Sequence, residues 1–223
     1  MPEAIDRGQA VGIIRELAHR YITTHHRAPR TIIVVGGTAM TMHGLREQSS
    51  DVDIFQAEDA FAEVARELEA MSGHKIDVTS DYNLWGELDV FDIESDAEVM
   101  ETLDIEGFTV DIAAISPETL FVIKASSMRD KDRADLAAIM TATSPEKVIE
   151  RTQHLLEALD GRYIQQEVLS CVISEVQLVV VDVVQPEWFS AAPGLLKKHG
   201  KFITDEFGLD ASGASSGSVV PDW

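Results

Sequence analysis

The stretch TIIVVGGTAMTMHGLREQSSDVDIF, residues 31–55, constrains the fold more than any other part of the chain. It begins with five β-branched residues, reaches a glycine pair and closes on two aspartates separated by one valine. A β-branched run that stops at glycine predicts a buried strand followed by a turn. Two aspartates one residue apart on a strand project from the same face. The sequence therefore predicts two strands that bracket a short helix, with paired carboxylates on the second strand.

The two carboxylates, Asp51 and Asp53, repel each other on a half-buried strand, so a cation is expected between them. Mg²⁺, or Mn²⁺ in its place, suits this position because it is commonly held by one or two carboxylates together with substrate phosphates. An isolated D-x-D would instead favour an exposed edge strand whose aspartates face water. Here Gly36 and Gly37 let backbone amides approach a phosphate closely, and Thr38 adds a hydroxyl, which favours the metal interpretation.

This pattern resembles the signature of the nucleotidyltransferases of the DNA polymerase beta superfamily, in which a strand, Gly-Gly, a helix and a D-x-D strand follow in that order. The likeness is greatest to small stand-alone bacterial or archaeal members, and it implies nucleotide contacts by Arg46 and Ser50 as well as by the glycines and Thr38. In that family a third metal-binding carboxylate arrives on the strand after the next helix. Asp77 in HKIDVTS is preferred for this role, and Asp111 in FTVDIAAIS is its rival.

A second stretch, SPETLFVIKASSMRDKDRADLAAI, is similar to the segment that abortive-infection-type nucleotidyltransferase toxins carry after their core sheet. The resemblance implies that Lys124 binds the triphosphate. It also implies nucleotide-binding roles for Arg129, Asp132 and Asp135, the two aspartates orienting the lysine or a basic neighbour.

The two resemblances together imply a metal-dependent enzyme that moves NMP from an NTP to an acceptor hydroxyl and releases pyrophosphate. Asp51, Asp53 and Asp77 would hold the metal ions and, with Lys124, form the catalytic set, in which Asp77 could also act as general base. The implied setting is a toxin-antitoxin or phage-defence system, with RNA, in particular transfer RNA, as acceptor and a cognate toxin or antitoxin as partner. Two alternatives stay open: an antitoxin-like enzyme that nucleotidylates a protein partner, and a catalytically silent binding module.

The charge of the chain weighs against an RNA acceptor. Asp and Glu number 39 against 18 Lys and Arg, a formal net charge of -21, and no Lys or Arg occurs between residues 76 and 123. Such a field repels phosphate backbones unless metal ions or a local basic patch intervene. A basic protein partner or a saline habitat would account for the same acidic excess.

The element pattern predicts an α/β (α+β) fold, with a mixed sheet of about four to five strands flanked by helices. The predicted divisions are a nucleotidyltransferase core with an N-terminal helix over residues 1–140, a mostly helical region over 141–205 and a flexible tail over 206–223. Helices are expected over residues 8–24 and 58–71, and others after the Ser-Pro-Glu signals that begin at Ser116 and Ser144.

Two further strands are predicted in ELDVFDIE and GFTVDIAAI, separated by a short acidic helix. No apolar run approaches the length of a membrane span, and the first residues lack the features of a signal peptide. We therefore expect a cytoplasmic protein without membrane contact.

Overall fold

The fold is described by a computed structural model, which covers residues 4–29, 31–56, 58–79, 90–127 and 132–158. The chain divides into two compact units between Thr143 and Ser144. Beyond residue 158 the predicted helical region and flexible tail lie outside the described residues. In chain order the elements are β1 (Ile5–Asp6), α1 (Arg7–His25), β2 (Thr31–Val34), α2 (Gly36–Met42), β3 (Gln48–Ser49), β4 (Val52–Phe55), α3 (Asp59–Ser72), β5 (Ile76–Thr79), α4 (Val90–Asp96), β6 (Glu98–Ile105), β7 (Phe108–Ala114), α5 (Pro117–Ser127), α6 (Arg133–Met140) and, in the second unit, α7 (Pro145–Ala158).

Five strands form one mixed sheet in the order β5-β4-β2-β7-β6. The central strand β2 pairs antiparallel with β4 and parallel with β7, while β4 and β5 run parallel and β6 and β7 antiparallel. Ile32, Ile33 and Val34 of β2 are all buried, so both faces of the central strand are covered, as its continuous apolar run requires. A mixed five-stranded sheet with helices confirms the predicted α/β fold class.

The helices follow the caps and periodicities in the sequence. α1 begins with a capping box in which Asp6 and Gln9 exchange hydrogen bonds, each between a side chain and a backbone N–H. α3 ends at Gly73, whose φ of 74° closes the helix. At the start of α5 the Ser116 hydroxyl accepts a hydrogen bond from the Thr119 N–H at 3.1 Å, which confirms the predicted N-cap.

The segment before β7 differs from the prediction. Within ELDVFDIE, residues 90–94 belong to α4 rather than to a strand, and the predicted acidic helix is instead the strand β6. The reason is the turn that follows: Glu106 and Gly107 have φ values of 49° and 84°, which is the backbone of a two-residue hairpin. Ile105 then pairs with Phe108, and the antiparallel ladder with β7 overrides the local helical pattern of the acidic residues.

Two short strands join the start of the chain to the loop before β4. β1 pairs antiparallel with β3, so that Ile5 lies opposite Ser49 and Asp6 opposite Gln48. Ile5 is buried, which anchors this contact. No pattern in the sequence predicted these strands. Among the described residues, the helices are all too short or too polar to cross a membrane.

Candidate active site

The glycine pair lies in the first turn of α2 and faces the D-x-D strand. Gly36 has a φ of 53°, and a Cβ at this position would stand 2.5 Å from Asp53 Oδ2. A Cβ at Gly37 would stand 2.6 Å from Ser49 Oγ. Both positions therefore need glycine for β4 and β3 to come this close to α2. The sequence predicts that a phosphate approaches the glycine pair closely. In this structure the side chains of Asp53 and Ser49 occupy that space.

Thr38 fixes the backbone of the D-x-D strand. Its hydroxyl donates a hydrogen bond to the Asp51 carbonyl at 3.1 Å and accepts one from the Asp53 N–H at 2.8 Å. The residue is fully buried, so the hydroxyl does not face solvent, where a nucleotide would bind. The structure thus makes Thr38 a residue that positions β4, whereas the sequence suggested a direct phosphate contact.

The Asp53 carboxylate is crowded and partly removed from water. Its Oδ2 accepts a hydrogen bond from the Gly37 N–H at 2.9 Å. Burial, followed by the neighbouring Asp51 and Asp77 carboxylates, raises the pKa of Asp53 to about 6, although the Gly37 hydrogen bond acts in the opposite direction. A carboxylate in this position is stabilised by any cation that reaches it.

Of the two candidates for a third carboxylate, the structure brings Asp77 to the D-x-D pair. The parallel register of β4 and β5 sets Asp77 directly beside Asp53. Asp111 lies opposite Thr31, the first residue of β2, whereas the D-x-D pair lies near the end of that strand. The Asp111 carboxylate accepts a hydrogen bond from the Thr102 hydroxyl at 2.7 Å. Asp111 is therefore separated from the pair by the length of β2.

Lys75, which the sequence analysis did not single out, completes this cluster. Its Nζ lies 3.2 Å from Asp51 Oδ2 and 3.6 Å from Asp77 Oδ2. The hydrogen bond to Asp51 is the largest of the effects that raise the pKa of Lys75. Lys75 immediately precedes β5 and stands two residues before Asp77, so extending the alternation of that strand by one residue would have found it. We call Asp51, Asp53, Lys75 and Asp77 the carboxylate–lysine square.

Two serines support Asp51 from the loop before β4. The Ser50 hydroxyl donates a hydrogen bond to Asp51 Oδ1 at 3.0 Å, and the Ser49 hydroxyl reaches the same atom at 3.4 Å. Ser49 is buried and packs on Gly37, whereas Ser50 is exposed. Ser50 is thus the one of these two hydroxyls that a ligand in solvent could contact.

A second charged group, which we call the α5–α6 network, consists of Arg46, Lys124, Asp132 and Asp135. Lys124 Nζ lies 3.1 Å from Asp132 Oδ1 and 2.7 Å from Asp135 Oδ2, and all three side chains are buried. The other oxygen of Asp135 accepts a hydrogen bond from Arg46 Nη2. Buried charges persist only where they are paired in this way.

Arg46 links this network to the D-x-D end of the sheet. A Cβ at Gly37 would lie 3.4 Å from Arg46 Nη1, so the guanidinium reaches the glycine pair. The Arg46 side chain is 38% exposed, against 7% for Lys124. In this conformation the Arg46 guanidinium is accessible to a ligand, whereas the Lys124 ammonium is buried and paired with Asp132 and Asp135. Arg129 lies outside the described residues.

The residues present suit a metal ion in part. Asp51 and Asp53 are the hard oxygen donors that Mg²⁺ or Mn²⁺ takes, and two carboxylates suffice where substrate phosphates supply further ligands. The raised pKa of Asp53 and the ammonium of Lys75 both show that the cluster attracts positive charge. Within the part of the chain that the structure describes, no group of three or more His, Cys, Asp and Glu side chains is already arranged to hold a metal ion.

A cavity of about 470 Å³ opens on the sheet face that carries Phe55, two residues beyond Asp53 on β4. Phe55, Ile33 and Ala113 give it an apolar wall. None of the described residues that line it is basic, and two are glutamates, Glu58 and Glu94. Its size is typical of a small-molecule or side-chain site. One of the two glutamates, Glu58, is already paired with Arg27.

The order of strand, glycine pair, helix and D-x-D strand, with Asp77 beside the pair, agrees with the nucleotidyltransferase signature that the sequence resembles. The chain belongs to the family described as "Nucleotidyltransferase of unknown function (DUF6036)", whose model matches residues 11–168. No curated protein and no solved structure matches the chain.

Proposed function

We propose that the protein is a Mg²⁺- or Mn²⁺-dependent nucleotidyltransferase of the DNA polymerase beta superfamily, which moves NMP from an NTP to an acceptor hydroxyl. Membership of a nucleotidyltransferase family supports the reaction class. The single observation that carries the metal dependence is the juxtaposition of Asp51, Asp53 and Asp77 beside the glycine pair, with the pKa of Asp53 raised to about 6.

In the proposed reaction the acceptor oxygen attacks the α-phosphorus, and the bond from that phosphorus to the oxygen of the leaving pyrophosphate breaks. Divalent metal, when bound, would neutralise the charge on the phosphates and lower the pKa of the acceptor hydroxyl. Asp51 and Asp53 would hold it, and Asp77, which is 59% exposed, would accept the proton of the hydroxyl. Thr38 and Gly37 keep the two aspartates in position through their hydrogen bonds to β4.

The triphosphate would be bound at the same end of the sheet. Arg46 and Ser50 are exposed there and offer a guanidinium and a hydroxyl. Gly36 and Gly37 would contribute indirectly, because the absence of a Cβ at either position lets Asp53 and Ser49 approach α2. Lys124, with Asp132 and Asp135, would position Arg46 and would itself reach a phosphate only if the α5–α6 network opens. Arg129, from the resemblance, remains a proposed nucleotide contact.

For the acceptor, the resemblance to abortive-infection-type toxins supports RNA, in particular transfer RNA, and a toxin-antitoxin or phage-defence role. A specific observation favours a second candidate, the nucleotidylation of a protein partner. The net charge is -21, and the cavity near Asp53 has two glutamates and no basic residue among its described lining. A basic protein, such as a cognate toxin or antitoxin, matches this charge better than a polyanion does.

Label transfer separates these acceptors. The purified full-length protein is incubated with Mg²⁺, each α-labelled NTP in turn, and either total RNA or cell extract. Label in RNA would support the toxin-like reading, and label in protein the antitoxin-like one. The double variant Asp51→Asn, Asp53→Asn should lose transfer by at least about a thousandfold, because it removes the charge that holds the metal.

The outcomes also test whether catalysis occurs at all. Metal-dependent NTP binding without transfer to RNA or protein would favour a catalytically silent binding module. Transfer that persists in the double aspartate variant would contradict the assignment of the site, and Asp111→Asn serves as the matched control that should keep activity.

A further inference from the structure

We propose that Lys75 is the internal counter-ion of the metal site: in the metal-free protein its ammonium occupies the cation position between Asp51 and Asp77, and it must leave before a divalent ion binds there. The inference rests on the metal site of the proposed function. It concerns a step that precedes nucleotide chemistry, and it assigns a role to a residue that the proposed reaction does not use.

The register of the sheet dictates the position of Lys75. β4 and β5 run parallel with Asp53 opposite Asp77, and the Val52 N–H donates to the Lys75 carbonyl at 2.9 Å. Lys75 immediately precedes β5 and Asp51 immediately precedes β4, and each stands two residues before the aspartate on its strand. The ammonium and the three carboxylates therefore come together at this end of the sheet. Three carboxylates and one ammonium thus form the square, with the ammonium 3.2 Å from Asp51 and 3.6 Å from Asp77.

A divalent ion and Lys75 compete for the same oxygen. Mg²⁺ binds carboxylate oxygens at about 2.0–2.1 Å, and Lys75 already holds Asp51 Oδ2. If the ammonium of Lys75 and a divalent ion both contacted this oxygen, the two cations would repel each other strongly because they would lie so close together. The competition also explains why the described carboxylates are not arranged as a ready metal cluster: the ammonium lies between two of them.

Lys75 can leave at little structural cost. Its side chain is 56% exposed, so the ammonium can turn into solvent without opening the core. While it is in place it offsets the mutual repulsion of the carboxylates, which keeps Asp51 and Asp77 close together in the absence of metal. The expected consequence is weak binding of metal alone, because the ion must first displace the ammonium.

Mn²⁺ alone is the probe for the test. Its binding to the full-length metal-free protein is followed by electron paramagnetic resonance of the free ion, for wild type, Lys75→Gln and a matched control, Lys147→Gln, which removes the charge of an exposed lysine on α7. Lys75→Gln is expected to bind Mn²⁺ roughly three- to thirtyfold more tightly than wild type, from the loss of two competing ion pairs. Lys147→Gln should match wild type. Equal or weaker binding by Lys75→Gln would overturn the proposal.

Two further measurements separate a counter-ion from a merely structural lysine. Lys75→Arg keeps the charge and should bind Mn²⁺ within about threefold of wild type; tightening as large as that of Lys75→Gln would refute the counter-ion role. In wild type, Mg²⁺ should shift the ¹³Cε resonance of Lys75, which is assigned by its absence from the glutamine variant. An unmoved resonance at saturating Mg²⁺ would show that the lysine stays in place.

The variant Asp51→Asn, Asp53→Asn distinguishes this inference from the proposed function. If no protein in the series shows Mn²⁺ binding that depends on these aspartates, the metal site itself fails, and the counter-ion role fails with it. If aspartate-dependent binding is present but insensitive to Lys75→Gln, only the counter-ion role is overturned.

Discussion

At the scale of single residues, three carboxylates lie close together beside the end of β2, and their mutual repulsion lowers the stability of the fold. Asp53 is held beside Asp51 and Asp77 by the hydrogen bond from Gly37, and its pKa is raised to about 6 as a result of burial and of these two neighbours. Repulsion of this kind is tolerated in a folded protein when function requires the groups to be together. The cost can be measured in the metal-free protein.

The first prediction concerns Asp53→Asn. The folded-state pKa of about 6 lies above the unfolded value of 3.8, so ionisation of Asp53 destabilises the fold progressively as pH rises from about 4 to above 6. The variant should therefore be more stable than wild type at pH 7.5, by about 1–3 kcal/mol, with the difference shrinking towards pH 4. Thermal unfolding without divalent ions at pH 4.5 to 7.5 measures it. Asp111→Asn is the control, and a difference that does not depend on pH would contradict the prediction.

The second prediction concerns Gly36. Alanine there combines a positive φ with a contact of 2.5 Å to Asp53 Oδ2, whereas Gly44, with a φ of 72°, has nothing within 4 Å of its would-be Cβ. Gly44→Ala should cost about 1 kcal/mol from the backbone alone, and Gly36→Ala at least about 2 kcal/mol more from the collision. The difference between the free energies of unfolding of the two variants, measured in urea, gives the contribution of the steric collision. Equal losses would show that α2 and β4 do not approach as described.

At the scale of elements, the sequence predicted what depends on local pattern and missed what depends on tertiary pairing. α1, α3, α5 and α7 were found because periodicity and caps agree. β6 was mistaken for a helix, and α4 for a strand, because the acidic segments lack a strong period and the hairpin at Glu106 and Gly107 decides between them. Asp77 was implied as the third carboxylate by the resemblance to the nucleotidyltransferase signature, and the register of β4 and β5 sets it beside Asp53.

The hydrogen-bond and ion-pair partners of the site residues were harder to predict than the region of the fold in which these residues lie. Thr38 and Lys124 were expected to contact phosphate, yet their bonds go to β4 and to the α5–α6 network. Sequence specifies which side chains are near one another, but the direction of each polar atom follows from burial, which forces a hydroxyl or ammonium to find a protein partner. Roles inferred from residue type alone are weakest at such buried positions.

The third prediction concerns the α5–α6 network. Asp135→Asn removes the charge that Lys124 and Arg46 share, and should lower the free energy of unfolding by about 2–4 kcal/mol. Glu16→Gln, which breaks the partly exposed ion pair with Arg20, is the control and should cost less than about 0.5 kcal/mol. Lys124→Met combined with Asp135→Asn should lose less than the sum of the two single changes in urea unfolding. Strict additivity would indicate that the two residues do not interact.

At the scale of the whole molecule, the fold class and four of the five strands of the sheet, β2, β4, β5 and β7, followed from the sequence, and the charge excess was visible from composition. What the acidic residues do was left open between a basic partner and a saline habitat. The structure adds that they include the lining of a cavity near the D-x-D strand. It describes the chain to residue 158, so the mostly helical region expected to residue 205 and the flexible tail over 206–223 stay predictions beyond that point.

The fourth prediction concerns this charge. A net charge of -21 destabilises the folded state by self-repulsion, which salt screens. Raising KCl from about 0.02 to 0.5 M should increase the melting temperature by roughly 5 °C. Most of this increase should occur before the salt concentration reaches about 0.1 M, where the screening length is about 10 Å. Choline chloride should act equally, because screening does not depend on the cation. A melting temperature that is flat in both salts would contradict the prediction.

The pairing of β1 with β3 ties Ile5 and Asp6 to the segment that precedes the D-x-D strand. Ile5 lies opposite Ser49, which in turn touches Gly37 and Asp51. The position of Ser49, and through it the support of the Asp51 carboxylate, therefore depends on the β1–β3 pairing. A fusion or truncation close to Ile5 should be checked for its effect on the D-x-D strand.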